Sequence, residues 1–304
     1  QAMQAGTFFY HCHKNTTLHF HMGMSGLLIV DPPDGPGKLC TNGPSYDVEG
    51  ILVFQDVDPY WRSLTHEAGM CGEDVGLNVF RPEYFMINGI PHPDTLVSPK
   101  CVIRAKPTDT ILIRMLSGCY CVQYIYFPFD VLIVEHDGRP LYPGPSNHGY
   151  YQPYTVPAGA PVEMETAQRR AVLVQGVPEG EYIITNEFRE LVRPDHVLGV
   201  AQTKLIVSNA TMNDQIVVQR AEYDRRKEKW RFRGTCAIPG PGNYVDIHIG
   251  PDLNAPLLGT AVVDLNGEWR FQRRAPGLPP DPTHTASFRS TMGATLLSVP
   301  VRIK

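Results

Sequence analysis

Charge is scarce in this chain, with Asp, Glu, Lys and Arg making up 19% of its 304 residues where about 25% is usual. A disordered, charge-rich chain is thereby excluded. The formal net charge is −4, so no basic excess marks nucleic acid as a partner. Long apolar runs are missing as well. The longest are as short as residues 26–30 and 131–134, far below the ~20 residues that span a bilayer, and no membrane span is expected. Nor is there a basic-headed apolar leader. The chain opens at Gln1, and Gly6-Thr7-Phe8-Phe9-Tyr10 already reads as mid-strand, so a fragment or a processed form is expected. The seven cysteines, at 12, 40, 71, 101, 119, 121 and 236, are odd in number and scattered, which argues against a disulfide framework and leaves at least one thiol for another task.

What the chain does have is 27 Gly, 28 Pro and 42% hydrophobic residues. So many breakers would interrupt a helical bundle. Short strands joined by turns are the remaining solution, and the fold class is all-β. Three blocks are visible. Residues 1–38 hold a strand, a His-rich polar stretch and a second strand at 27–30, and a Pro/Gly-rich linker covers 33–45. Residues 46–210 carry strand candidates at 50–54, 110–116, 124–129, 131–134, 171–174, 182–185 and 204–207, punctuated by Asn88-Gly89, Asp137-Gly138 and Pro178-Glu179-Gly180. That spacing is that of a sandwich or barrel.

Residues 211–304 alternate more cleanly. Trp230 with Phe232, and Val245 with Ile247 and Ile249, each share one strand face. Asn266-Gly267 predicts a type I′ hairpin, and about seven strands in this length predict an immunoglobulin-like sandwich. The block holds 13 Lys and Arg against 9 Asp and Glu, an excess of +4 that leaves −8 for the rest. The mixed run 222–229 reads as a solvated turn.

The sharpest chemical signal is Tyr10-His11-Cys12-His13-Lys14-Asn15-Thr16-Thr17-Leu18-His19-Phe20-His21-Met22-Gly23-Met24. Thiolate, imidazole and thioether donors favour copper over magnesium or calcium. Zinc is usually bound by Cys/His sets without Met. A blue-copper site takes one Cys, two His and a weak axial Met. Cys12, His19 and Met24 supply three of these on a strand–loop–strand, with the second His expected upstream. Met22 competes with Met24 for the axial place. His21 is either a substitute for His19 or a solvated loop residue. His11 and His13 flank Cys12, and alternation puts both on the face opposite the thiol, where they can reach a second metal centre. The plain alternative is a strand end with a buried Cys and two incidental His.

Residues 5–13 followed by Gly23-Met24-Ser25-Gly26-Leu27-Leu28-Ile29-Val30-Asp31-Pro32 resemble the end of the first cupredoxin domain of multicopper oxidases. Laccase-like members usually read His-Ser-His there; His-Cys-His is what they carry in their last domain. Phe85-Met86-Ile87-Asn88-Gly89, Ile113-Arg114-Met115-Leu116, Asp137-Gly138-Arg139-Pro140 and Val156-Pro157-Ala158-Gly159-Ala160 are similar to the family's second, copper-free cupredoxin domain. The resemblance covers residues 1–210. It implies cupredoxin-like Greek-key sandwiches or barrels, a type 1 copper on Cys12, His19 and Met24, and a type 2/type 3 cluster touched by His11 and His13. It also implies a small-molecule or metal-ion reductant, dioxygen as acceptor, and a periplasmic or extracellular location. A homo-oligomer is left open.

Departures from the pattern matter. A complete trinuclear cluster needs eight His, and this chain has His-x-His only at 11/13 and 19/21. His66 with Met70 and Cys71 reads as a polar loop with incidental soft residues, and His136 as a turn residue. Cys119 and Cys121, placed on one side of a strand, read as small buried hydrophobes. The rival readings are a type 1 copper electron carrier without oxygen chemistry, a copper-binding or structural protein, and a nitrite-reductase-like enzyme. His13 counts against the last, whose members usually show His-Cys-Ala.

Overall fold

Apolar segments flanked by turn residues become the inner strands of stacked sheets, because a strand buried on both faces needs side chains that ask nothing of water. The computed structural model describes residues 4–64, 79–142, 152–209, 214–240 and 243–304. His66, Met70, Cys71 and His148 lie outside the described residues. The chain divides into two compact units, Gln1–Ser208 and Asn209–Lys304.

The first unit runs β1 (Gly6–His11), α1 (Thr16–His21), β2 (Ser25–Val30), β3 (Val48–Val57), α2 (Pro59–Ser63), β4 (Tyr84–Ile87), β5 (Ile90–Pro91), β6 (Ile103–Ala105), β7 (Ile111–Ser117), β8 (Val122–Tyr126) and β9 (Val131–His136). It continues with β10 (Arg139–Pro140), β11 (Tyr154–Val156), β12 (Pro161–Met164), β13 (Arg169–Val174), β14 (Gly180–Arg189) and β15 (Val197–Val207). One sheet has the order β10-β9-β13-β7-β3-β4-β5, with β11 also on β9; a second has the order β12-β8-β14-β15-β6. Pairing is antiparallel except for β3 with β7 and β15 with β6. Leu52, Phe54, Ile113, Met115, Ile125, Ile133, Ile184 and Leu205 fill the space between them. Every residue of β7 is buried, Arg114 among them.

β1 and β2 form a separate antiparallel hairpin, Gly6 opposite Val30 and His11 opposite Ser25. Its base lies on the larger sheet. A Cβ on Gly6 would stand 2.4 Å from the Gly138 carbonyl oxygen, so only glycine lets the strand approach that closely. Thr7 N–H donates to Glu135 (2.9 Å). Asn88-Gly89 and Asp137-Gly138 both have positive φ at both residues, the type I′ geometry that joins β4 to β5 and β9 to β10.

The second unit holds β16 (Ile216–Asp224), β17 (Lys229–Cys236), β18 (Tyr244–Ile249), β19 (Leu257–Val262), β20 (Glu268–Arg274), β21 (Thr285–Ser290), β22 (Thr295–Pro300) and β23 (Arg302–Ile303). They form two four-stranded sheets, β20-β17-β16-β23 and β19-β18-β21-β22. Trp230, Phe232, Val245, Ile247, Ile249, Trp269 and Phe288 make its core, matching the faces read from alternation.

Two local expectations are corrected. Asn266 keeps an ordinary φ while Gly267 alone is positive (78°), so the turn is not type I′. Asp264 carboxylate accepts from the N–H groups of Asn266 and Glu268, and the strands it joins lie in different sheets. The Asp side chain thus sets a wider corner than the Asn-Gly pair alone predicts. Cys119 and Cys121 are buried as expected, but they sit in the irregular stretch between β7 and β8 rather than on a strand. Their backbone path is fixed by Asp56, which accepts from the N–H groups of Tyr120 (2.9 Å) and Cys121 (2.8 Å). All described cysteines are free.

Candidate metal centre

The stretch expected as a loop between β1 and β2 contains the short helix α1. Asn15 starts it with φ 52°, a left-handed conformation that Asn tolerates. Leu18, Phe20 and His21 are buried, and this apolar anchoring leaves His19 half-buried beside Cys12.

Three residues of interest are laced by main-chain bonds. Cys12 N–H donates to the Met24 carbonyl (3.0 Å), and Met24 N–H donates to the His19 carbonyl (2.9 Å). The Cys12 sulfur then lies 3.1 Å from His19 Nδ1. Sulfur and imidazole bonds of about 2.3 and 2.0 Å to one late first-row ion span about 3.5 Å at a tetrahedral angle, so this soft pair fits a shared copper with an adjustment of a few tenths of an ångström. The same sulfur donates to the Lys14 carbonyl (3.1 Å) and accepts from Lys14 N–H (3.3 Å), so the Lys14 main chain holds it in place. Met24 brings its backbone to the site, while its residue surface is 54% exposed. Met22 is half-buried.

His11 and His13 come together. Their rings stack at 4.4 Å between centroids, and His11 stacks in turn on Phe9 at 5.0 Å. His11 Nδ1 donates to the Cys12 carbonyl (3.0 Å). A carbonyl only accepts, so the proton is fixed on Nδ1 and the lone pair on Nε2 is directed to an external acid such as a metal.

His21 departs from both expectations. It neither faces solvent nor joins Cys12: its ring is packed among Trp61, Phe80 and Tyr120. Asp58 N–H donates to His21 Nε2 (3.1 Å), and burial pushes the imidazole below its ordinary range. Asp58 also caps α2, accepting from the N–H of Tyr60 (2.8 Å) and of Arg81 (2.7 Å). Tyr120 hydroxyl donates to the Thr17 carbonyl (2.7 Å), tying the start of α1 to the loop held by Asp56. Asp56 itself is buried, which pushes its carboxyl up to about 6.

Beneath the hairpin lies a cluster that sequence reasoning passed over. Arg114, fully buried, donates from Nε to Glu49 (2.7 Å) and from Nη1 to Thr7 Oγ1 (2.8 Å) and Glu135 (3.3 Å). Tyr46 hydroxyl donates to Glu49 (3.1 Å), and burial together with Glu49 pushes its phenol up to about 12. Burial alone would lower Arg114, but the charges of Glu49 and Glu135 more than offset it. The signal was a lone arginine in the apolar run Ile111-Leu112-Ile113-Arg114-Met115-Leu116, since a buried charge needs a buried partner.

The isolated histidines have separate partners. His92 Nδ1 meets Thr95 and the Gln202 N–H, His136 meets the Tyr154 hydroxyl, His196 meets Glu190, and His248 Nδ1 donates to the Ala255 carbonyl. Among the described residues no group of three His, Cys, Asp or Glu side chains gathers at metal-binding distance.

No family model matches the chain. Over 138 residues it is 30% identical to laccase-2 of Fomitopsis schrenkii, covering 44% of this chain and 23% of that protein. Over 166 residues it is 26% identical to L-ascorbate oxidase of Cucumis sativus, covering 46% and 26% respectively. The blue copper oxidase from Nitrosomonas europaea aligns over 70% of this chain and 59% of its own, at 23% identity and a TM-score of 0.48. The matched stretches span about a quarter of the length of the curated relatives. A His-Cys-His hairpin that sets a thiol against an imidazole thus stands in a chain similar in sequence, over less than half its length, to a laccase and an L-ascorbate oxidase.

Proposed function

We propose that the hairpin is the electron-accepting end of a copper-dependent oxidoreductase, with Cys12, His19 and Met24 holding a type 1 copper. The observation that carries this reading is the 3.1 Å approach of Cys12 sulfur to His19 Nδ1 on a main-chain-laced loop. Copper bound there supplies one-electron chemistry, its two oxidation states interconverting within one constrained geometry. The protein's part is to hold the sulfur in place, which the Lys14 main chain does, and to shield the site on one side with Phe9 and Phe20. His11 and His13, with the His11 Nε2 lone pair set free by its Nδ1 bond, serve an oxygen-reducing type 2/type 3 cluster completed by residues beyond those described. Cys12, between them in sequence, is the covalent bridge from one centre to the other. A small-molecule or metal-ion reductant gives the electrons, and dioxygen takes them.

The same reading assigns residues 1–38 to the C-terminal part of a first cupredoxin domain, 46–210 to a second without copper, and 211–304 to an immunoglobulin-like domain. Two four-stranded sheets, β20-β17-β16-β23 and β19-β18-β21-β22, antiparallel except for β16 with β23 and sharing one core, support the last assignment, since immunoglobulin-type sandwiches pack two such sheets. A periplasmic or extracellular location accompanies the oxidase reading, and a homo-oligomer would supply the missing cluster ligands.

That His92, His136, His196 and His248 are each engaged elsewhere favours a second reading, an electron carrier without oxygen chemistry. Copper-loaded protein separates the two. An intense blue thiolate-to-copper band with dioxygen uptake on adding reductant is expected for the oxidase. The band without uptake leaves the carrier, and a band that survives Cys12→Ser overturns the ligand assignment.

A further inference from the structure

The second unit contains no feature of the metal centre, yet its positive excess is concentrated on one sheet face. In the register of β16, β17 and β20, Arg220 stands opposite Arg233, and Arg233 opposite Arg270. The next outward row places Arg231 between Glu222 and Gln272. Like charges directly opposite each other destabilise a sheet, so a row of three arginines is a cost that the fold itself does not require.

A β-bulge creates the row. The register shifts between Val218 and Arg220, which leaves Gln219 unpaired. Ile216 and Val218 face the core before the shift; Ala221 and Tyr223 face it afterwards. Without the extra residue, Arg220 would follow Val218 inward. The bulge re-aims it to the outer face, a use typical of bulges beside binding surfaces.

Acidic neighbours cover only the flanks. Arg220 is paired with Glu222 (2.6 Å) and Arg270 with Glu268 (3.1 Å). Arg231 and Arg233 have no acidic partner among the described residues. Arg220, Arg231, Arg233 and Arg270 line a cavity of about 250 Å³ with Gln272 and the core-packed Phe232 and Phe271. Strands lie about 4.8 Å apart and alternate residues about 6.8 Å along a strand. The row therefore spans about 10 Å, with charges at fixed intervals in two directions.

We propose that this face binds a single strand of an acidic polysaccharide, its sulfate or carboxylate groups taken by Arg231 and Arg233 and flanked by Arg220 and Arg270. Arginine forks suit such planar or tetrahedral oxyanions. A nucleic-acid duplex or an anionic bilayer is broader than the row and would press its charges onto Glu268 and Glu222. Single-stranded nucleic acid is held largely by aromatic stacking, and the outward positions of these three strands carry no aromatic residue.

The test is titration of the whole chain with a heparin-type dodecasaccharide at several salt concentrations. Binding should weaken as salt rises, with a slope that records displaced counterions. Arg231→Gln with Arg233→Gln should lose at least about tenfold in affinity and flatten that slope by nearly two ions. Glu268→Gln should tighten binding, an effect that misfolding cannot mimic. Arg104→Gln with Arg139→Gln, exposed on the first unit, should leave it unchanged. Equal loss in that control pair, no loss in the Arg231/Arg233 pair, or tighter binding to duplex DNA or phosphatidylglycerol vesicles than to the oligosaccharide would each overturn the proposal.

Discussion

The tip and the base of the first hairpin solve opposite problems. At the tip, Cys12, His11 and His19 are half-buried and their placement rests on main-chain bonds. At the base, Thr7 meets Arg114 and Glu135 in a buried charge cluster that also takes in Glu49. The donors proposed for an ion are thus kept reachable from outside. Charges that fix the hairpin on the sheet are sealed and matched, because an unmatched buried charge is costly. Stability and the proposed ligand capture thus fall at opposite ends of the hairpin.

The difference can be broken most severely at the base. Arg114→Leu strips Glu49 and Glu135 of their cation and should cost about 3–5 kcal/mol in urea unfolding of the first unit. A loss under about 1 kcal/mol would mean that the charges do not hold the base. Asp56 offers the next largest effect. Folded, its carboxyl keeps a proton to about pH 6 because it is buried, whereas in the unfolded chain it ionises near pH 4. The folded state therefore binds more protons between those values. Its stability should fall as pH rises through that window, by up to about 3 kcal/mol, and level off above it. Asp56→Asn should remove that slope; an unchanged slope assigns it to other groups.

Tyr120→Phe tests the strut between the two ends. Losing the bond to Thr17 should cost about 1 kcal/mol and speed amide exchange in α1 while leaving β7 protected. At the tip, Cys12→Ser should shift the stability of copper-free protein by no more than about 0.5 kcal/mol, yet abolish the thiolate-to-copper absorption. A large stability loss there would erase the distinction between the two ends.

Much of this was readable beforehand for identifiable reasons. Strand faces followed from alternation, so Trp230, Phe232, Val245 and Ile247 were placed in the core correctly. The Asn88-Gly89 and Asp137-Gly138 turns followed from residues that accept positive φ. The donor loop was legible because His, Cys and Met rarely crowd together. What escaped depended on partners distant in sequence. His21 looked like a loop residue because nothing local announces Trp61, Phe80 and Asp58, some 40–60 residues away, as its walls. Arg114 needed Glu49, Glu135 and Thr7 from three other strands. Asn266-Gly267 misled because Asp264, two residues earlier, outcompetes it for the turn.

The lacing of Cys12, His19 and Met24 through N–H and carbonyl groups has a consequence for variation. Such bonds do not read side chains, so the hairpin tip is a cassette. Exchanging residue 24, thioether for amide or alkyl, should therefore leave the sulfur and the imidazole in place. In the proposed copper site, redox tuning at residue 24 would thereby be uncoupled from the architecture that presents it.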